Sequence, residues 1–266
     1  MKCITSHENP FFKRLIKLEK SAKQRKVEGL AVLDGVHLID SYWTALGPPK
    51  FLIVGESGCE RTEIRHLLTQ GEKDAVSIFV LNDVLFSKVS SVKTSTFILA
   101  IIAIPKPLEI TSKNKNKNSC ALLEAIQDPG NLGSMLRSAA AAKVNDIYLS
   151  GDCVDAWSPK VLRAAMGAHF LLRIYEKANI AKAIHAFHGK VVAVTLKTEK
   201  NLYQTKLTGQ IAFVFGNEGT GLSDEILKNV SEQITIPMSN GVESLNVAVA
   251  AAVCFFEKMR QDKKET

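Results

Sequence analysis

Five stretches in the carboxyl-terminal half, CALLEAIQ, DIYLS, KVVAVTL, QIAFVFG and QITIP, are short and nearly unbroken apolar runs. A strand with one wet face alternates apolar and polar residues, so unbroken runs fit strands covered on both faces, as in a parallel sheet between helices. Helix-like segments fill the gaps, and the architecture this demands is α/β. The amino-terminal half repeats the alternation around a smaller sheet: LAVLD, KFLIVG, VSIFVL and TFILAIIAI are interleaved with helix-like segments around 36–46, 60–70 and 83–90. Between the halves lies PKPLEITSKNKNKNS, in which two prolines end any preceding strand and the Lys/Asn alternation leaves no apolar face to bury. The reading is a first domain at 1–105, a solvated linker at 106–119 and a second domain at 120–266.

Composition narrows the function classes. The chain has 266 residues, 46% of them hydrophobic, enough for a real core, and a formal charge of +7 that suits a polyanionic partner such as nucleic acid. Its five cysteines, Cys3, Cys59, Cys120, Cys153 and Cys254, are odd in number and include no CxxC pair, so neither a disulfide framework nor a metal site is expected. No apolar run approaches the ~20 residues of a membrane span. The start, MKCITSHENPFFKR, lacks the apolar core of a signal peptide, and a reducing, cytoplasmic setting is expected.

The first helix reads as basic and amphipathic. Asn9 can cap it and Pro10 can take its first position; Phe11, Leu15, Leu18 and Ala22 form one stripe, and Lys13, Arg14, Lys17, Lys20, Lys23 and Arg25 cover the rest. Such a surface is either a solvated face or a set of contacts to RNA phosphates.

Three later stretches carry chemistry. In DPGNLGSMLR, Asp128-Pro129-Gly130-Asn131 leaves a strand through a tight turn, at the end of the sheet where open α/β folds place ligands. Arg137 follows within two turns of a helix expected to start near Leu132. In FVFGNEGTGLS the glycines run G-x-x-G-x-G with no lysine, which excludes both the P-loop and the dinucleotide fingerprint. Glu218 in that loop would repel phosphate and suits a cationic ligand or the orientation of hydroxyls. In ITIPMSNGVESLNVAVA, Ile236-Pro237-Met238 ends a strand, Ser239-Asn240-Gly241 turns, and Ser244-Leu245-Asn246 opens a long apolar helix through Val247, Val249, Val253 and Phe256.

In this order the three stretches resemble the signature motifs of the SpoU/TrmH family of RNA ribose 2′-O-methyltransferases, within the SPOUT superfamily, over residues 120–260 or so. The resemblance implies S-adenosylmethionine as cofactor, a parallel-sheet domain with a deep trefoil knot, and a homodimer packed around the last helix. It implies catalytic duties for Asn131, Arg137, Glu218, Ser244 and Asn246, and a cofactor pocket at Gly216, Ile236 and Leu245 with Asn217, Gly219 and Met238. The loop carrying Thr195 and Leu196 is implied as a further wall. Arg137 is implied to assist deprotonation of the ribose hydroxyl. Because an arginine pKa lies above ~12, the physical form of that help is phosphate binding and alkoxide stabilisation, with the proton passing to phosphate or water.

NPFFKRLIKL followed by KQRKVEGLAVLDG resembles the opening of the family's RNA substrate-binding domain, which assigns Lys13, Arg14, Lys17 and Lys20 to RNA; VLRAAMGAHF resembles the family too and makes Arg163 an RNA or dimer contact. The same likeness favours ribosomal over transfer RNA as the target, with no DNA and no membrane partner. A non-catalytic RNA-binding protein that kept the fold is the alternative, disfavoured by the joint presence of Asn131, Arg137, Glu218, Ser244 and Asn246.

Overall fold

The computed structural model describes residues 1–90, 96–106 and 119–264, so nearly all of the expected linker lies outside the described residues. The chain divides into two compact units, one formed by Met1–Pro105 with Trp157–Phe170, the other by Lys106–Ala156 with Leu171–Thr266.

The first unit opens with β1 (Lys2–Ile4), α1 (Pro10–Lys20) and α2 (Ala22–Glu28). The Asn9 side chain accepts the amide protons of Phe11 (2.9 Å) and Phe12, and Pro10 takes the first helical position, where it has no hydrogen bond to lose. Phe12, Leu15 and Leu18 are buried and hold α1 to the sheet, at about 1.5–3 kcal/mol each. The buried stripe keeps Leu15 and Leu18 of the expected one and differs at its ends: Phe12 takes the buried place while Phe11 sits at the shoulder, stacked 3.8 Å from Phe79, and Ala22 belongs to α2 because Ser21 leaves the helical region and caps the next helix. Then come β2 (Leu30–Asp34), α3 (Val36–Leu46), β3 (Phe51–Gly55), α4 (Thr62–Lys73), β4 (Ser77–Leu81), α5 (Asp83–Val89) and β5 (Ile98–Ala103). The sheet order is β1-β4-β3-β5-β2, with β1, β4 and β3 parallel and β5 antiparallel to both its neighbours.

In the second unit β6 (Cys120–Leu123), α6 (Pro129–Ala141) and β7 (Asp146–Leu149) run first. The chain next contributes α7 (Pro159–Ala165) to the first unit, where Gly167 lies against Ser41 and Phe170 meets Tyr42 edge-on at 5.2 Å. It returns as β8 (Arg173–Tyr175), α8 (Ile180–Ala186), β9 (Lys190–Val194), β10 (Ile211–Phe215), α9 (Asp224–Asn229), β11 (Glu232–Ile234) and α10 (Val247–Lys264). All six strands are parallel, in the order β11-β9-β10-β6-β7-β8. β6 and β10 are fully buried along their length, as unbroken apolar runs require. The short edge strand β8 is pinned by its register: Arg173 stands beside Asp146 and grips that buried carboxylate with two bonds, 2.5 and 2.7 Å.

Parallel strands bring their following loops to one end of the sheet, where open α/β folds place ligands, and β10 stands between β9 and β6 in the strand order. The loops after β6, β9, β10 and β11 therefore converge. After β11 the chain runs alongside the loop that follows β9, with Thr235 donating to Lys200 O (2.8 Å) and accepting from Leu202 N (2.9 Å). Among the described residues no helix is long and apolar enough to cross a membrane.

Candidate active site

The loop after β10 is built around Asn217. Its backbone exchanges hydrogen bonds with Gly221 (3.1 and 3.0 Å), its side-chain oxygen accepts the amides of Gly219 (2.9 Å) and Thr220 (3.1 Å), and its amide nitrogen donates to Ala125 O (2.9 Å) just after β6. Gly216 is required by the loop itself. A Cβ there would lie 2.5 Å from Leu222 N and closer still to the Gly221 carbonyl, both backbone atoms that cannot swing away. At the far end Ser223 caps α9 and donates twice to Glu124, from its amide (2.9 Å) and its hydroxyl (2.7 Å). The loop is thus clamped to the end of β6 from both sides. Glu124 escaped the sequence reading; its only signal is an acidic residue ending an apolar strand, and its partner lies 99 residues away.

Glu218 joins the three motifs. Its carboxylate accepts from Asn131 Nδ2 (3.0 Å) and from the amides of Asp128 (3.3 Å) and Gln127 (3.4 Å), while Asn246 Nδ2 donates to Asn131 Oδ1 (2.8 Å). Asn246 is itself fixed, its oxygen accepting from Ala248 N (2.9 Å) and Val249 N (3.3 Å) at the start of α10. Burial alone would push the Glu218 carboxyl up, but the bonds from Asn131 and the surrounding backbone amides outweigh it and hold the pKa below its ordinary value. A lowered folded-state pKa adds stability that is present above the unfolded value and lost as pH falls through the folded one. Glu218 is therefore ionised at neutral pH, and its carboxylate organises the 127–131 turn.

That turn differs from the expectation in one respect. Pro129 and Gly130 form the first turn of α6, capped by Asp128, which accepts from Asn131 N at 2.7 Å, so the helix begins three residues before Leu132. Proline at this position is favoured because its missing N–H would be unpaired anyway.

A cleft of about 290 Å³ lies beside this network. Its walls are the ends of β9 and β10 and the chain that follows β11. Thr195 and Leu196 come from the first, Gly216, Asn217, Glu218 and Gly219 from the second, and Ile236, Met238, Ser244 and Leu245 from the third. Lys197, Thr220 and Leu222, to which the sequence assigned no role, also line it, as does Val247, expected only as part of the last helix. Asn131 and Asn246 reach the cleft through Glu218. Arg137 does not line it: it is exposed on α6, six residues beyond Asn131, with no polar partner among the described residues.

The residues assigned to RNA lie in the first unit. Lys13 pairs with Glu8, and Arg14 donates to Glu28 at 2.6 Å, whereas Lys17 and Lys20 are exposed. Arg25 is buried and donates to Leu18 O (2.6 Å) and Glu19 O (2.9 Å), capping α1. Arg163 is half-buried in the last turn of α7.

The geometry agrees with what the chain is similar to. The SpoU rRNA Methylase family model matches residues 118–256. An uncharacterised tRNA/rRNA methyltransferase of Synechocystis is 32% identical over 267 residues, covering 97% of this chain and 93% of that protein. A 23S rRNA (guanosine(2553)-2′-O)-methyltransferase, RlmP, of Bacillus subtilis is 29% identical, covering 96% of this chain and 98% of its own length. A solved RNA 2′-O ribose methyltransferase superposes with a TM-score of 0.80 at 28% identity, over 97% of this chain and 98% of that one. The chain belongs to the SpoU rRNA methylase family.

Proposed function

We propose that this protein transfers a methyl group from S-adenosylmethionine to a ribose 2′-hydroxyl of ribosomal RNA. The observation that carries the reading is the hydrogen-bonded chain Glu218–Asn131–Asn246, which links all three motifs beside one cleft. The cleft suits a nucleoside: Leu222, Ile236, Leu245 and Val247 offer apolar contact, and the loop backbones at 216–221 and 235–238 offer polar edges. When bound, S-adenosylmethionine supplies an electrophilic methyl on a sulfonium. Glu218, in the wall of the cleft, would offer an ionised carboxylate to that cation. Asn131 has one N–H and one lone pair engaged by Glu218 and Asn246, and keeps one of each for an incoming ribose. Arg137, with no carboxylate partner among the described residues, binds the phosphate next to the target ribose and stabilises the developing alkoxide. A calorimetric titration tests the cofactor reading: one site per chain, competed by S-adenosylhomocysteine, is the expected result, and absence of any binding overturns it.

A second copy of the chain completes the assembly. Val249 and Phe256 are 50% and 43% exposed, and with Val253 they fall at i, i+4 and i+7 on one face of α10. Close packing of such a stripe against its own copy makes a two-fold interface. Because Val249 is half-exposed within one chain, Val249→Asp should leave the fold intact and weaken dimerisation by about 100-fold, the scale of a single central interface residue. Sedimentation that shows a wild-type monomer at micromolar concentration contradicts this.

The first unit delivers the RNA. Lys17→Ala and Lys20→Ala should each reduce the salt dependence of RNA binding by roughly 0.7–0.9 in log–log slope, since each removes a cation free to meet a phosphate. Lys13→Ala and Arg14→Ala should change it far less, because Glu8 and Glu28 already engage those cations. Equal slopes for all four variants would remove α1 from the RNA interface.

A further inference from the structure

Phe97 occupies a backbone conformation that a bulky residue rarely adopts, with φ +59°, at the start of β5. The surroundings hold it there. Gly55 N donates to Phe97 O (3.0 Å), and a Cβ on Gly58 would come within 2.6 Å of Phe97 Cβ and 2.8 Å of its carbonyl oxygen, so the chain is pressed against a residue without a side chain. The ring lies near-parallel to that of buried Phe86, with centroids 6.1 Å apart and planes 17° apart. Above Phe97 stands the guanidinium of Arg61, 4.2 Å from the ring centroid. Arg61 is exposed and has no carboxylate partner among the described residues, although Glu56 and Glu60 share its loop. A stack thus begins in the core at Phe86, passes through a half-buried Phe97 and ends on a cation presented to solvent. The Phe97 backbone extends the β3–β5 ladder, but the pairing of β5 with β3 and β2 does not call for the Arg61 guanidinium over its ring.

The geometry points to Arg61 and Phe97 as a stacking platform for an unpaired RNA base. This rests on the proposed RNA substrate, and it assigns to these residues a contact of a different kind from that of the α1 lysines. Single-stranded RNA is recognised by splaying bases onto aromatic rings and guanidinium planes. Glu56 and Glu60, on the same loop as Arg61, set negative charge in this segment, which disfavours a bare phosphate and leaves the planar faces of the stack as what it offers to RNA. The occupant is therefore a base from a loop or bulge of the substrate.

The test measures binding of a ribosomal RNA fragment by the full chain across a salt series, for Arg61→Ala, Arg61→Lys and Phe97→Leu, with Lys17→Ala as reference. Removing Arg61 should weaken binding by about ten-fold with little change in the salt slope, as expected for lost stacking. Arg61→Lys should not restore it, because an ammonium lacks the planar face. Phe97→Leu keeps apolar packing against Phe86 and should lose affinity in the same way; S-adenosylmethionine binding and the melting temperature of each variant report on folding. Unchanged affinity in Arg61→Ala overturns the platform, and so does full rescue by lysine with a restored slope, which would make Arg61 a phosphate contact. If the wild type binds no RNA at all, the substrate reading itself has failed, and this inference fails with it.

Discussion

Arg137→Ala is expected to lower the rate of methyl transfer by about 100-fold or more while cofactor affinity stays within about two-fold, the pattern of a group that acts on the transition state rather than on the bound cofactor. The structure bears on the second half of that expectation, the unchanged affinity. Arg137 lies outside the cleft, so its loss removes no wall from the cofactor site. It also has no ion pair among the described residues to break, so its loss leaves no buried carboxylate behind. Lysine should rescue poorly, since a point charge does not reproduce a planar fork on phosphate. Single-turnover methylation, with cofactor affinity measured separately by calorimetry, checks the split. Near-normal turnover in Arg137→Ala would take the arginine out of the reaction.

The second large effect is at Gly216. Gly216→Val should abolish cofactor binding because the Asn217–Gly221 loop cannot close over a side chain that overlaps its own backbone. Alanine already creates the overlap, so Gly216→Ala should cost about 1–3 kcal/mol of stability along with affinity, the usual range for overpacking. Gly219 gives the contrast within the same loop. A Cβ there meets only Asn217 Oδ1, at 3.6 Å, so Gly219→Ala should leave the melting temperature unchanged, and any loss of affinity it causes reports direct contact with the cofactor. Equal melting temperatures for Gly216→Ala and the wild type would show that the loop does not depend on this glycine.

Much of this architecture is legible in the residues, because burial on both faces leaves a mark that does not depend on partners. β6 and β10 are continuous apolar runs, and the breaks between them are long enough for helices. What is not legible is short or non-local. β1 and β8 have three residues each, too few to show a period, and exist because a neighbouring strand offers a ladder. The Glu124–Ser223 pair joins residues 99 apart, and nothing local to either announces the other. The same holds for Trp157–Phe170, which the pattern places in the middle of the second domain and which clusters with the first unit. The glycine at 216 is legible as a pocket position through the resemblance, whereas the close approach of the chain to itself at that residue shows only in the fold. Likewise the charges of α1 are visible in the sequence, whereas only the fold shows that Lys13 and Arg14 are engaged by carboxylates and that Arg25 is spent capping a helix.

The central claim is ribose methylation by the cleft that unites the three motifs. Its most direct measurement is to incubate the purified full chain with ribosomal RNA and S-adenosylmethionine carrying an isotopically labelled methyl group, digest the RNA to nucleosides and locate the label by mass spectrometry. The account predicts label on the ribose of a single 2′-O-methylated nucleoside, lost in Arg137→Ala. Label on a base, or no transfer by a chain shown to bind both cofactor and RNA, would contradict it.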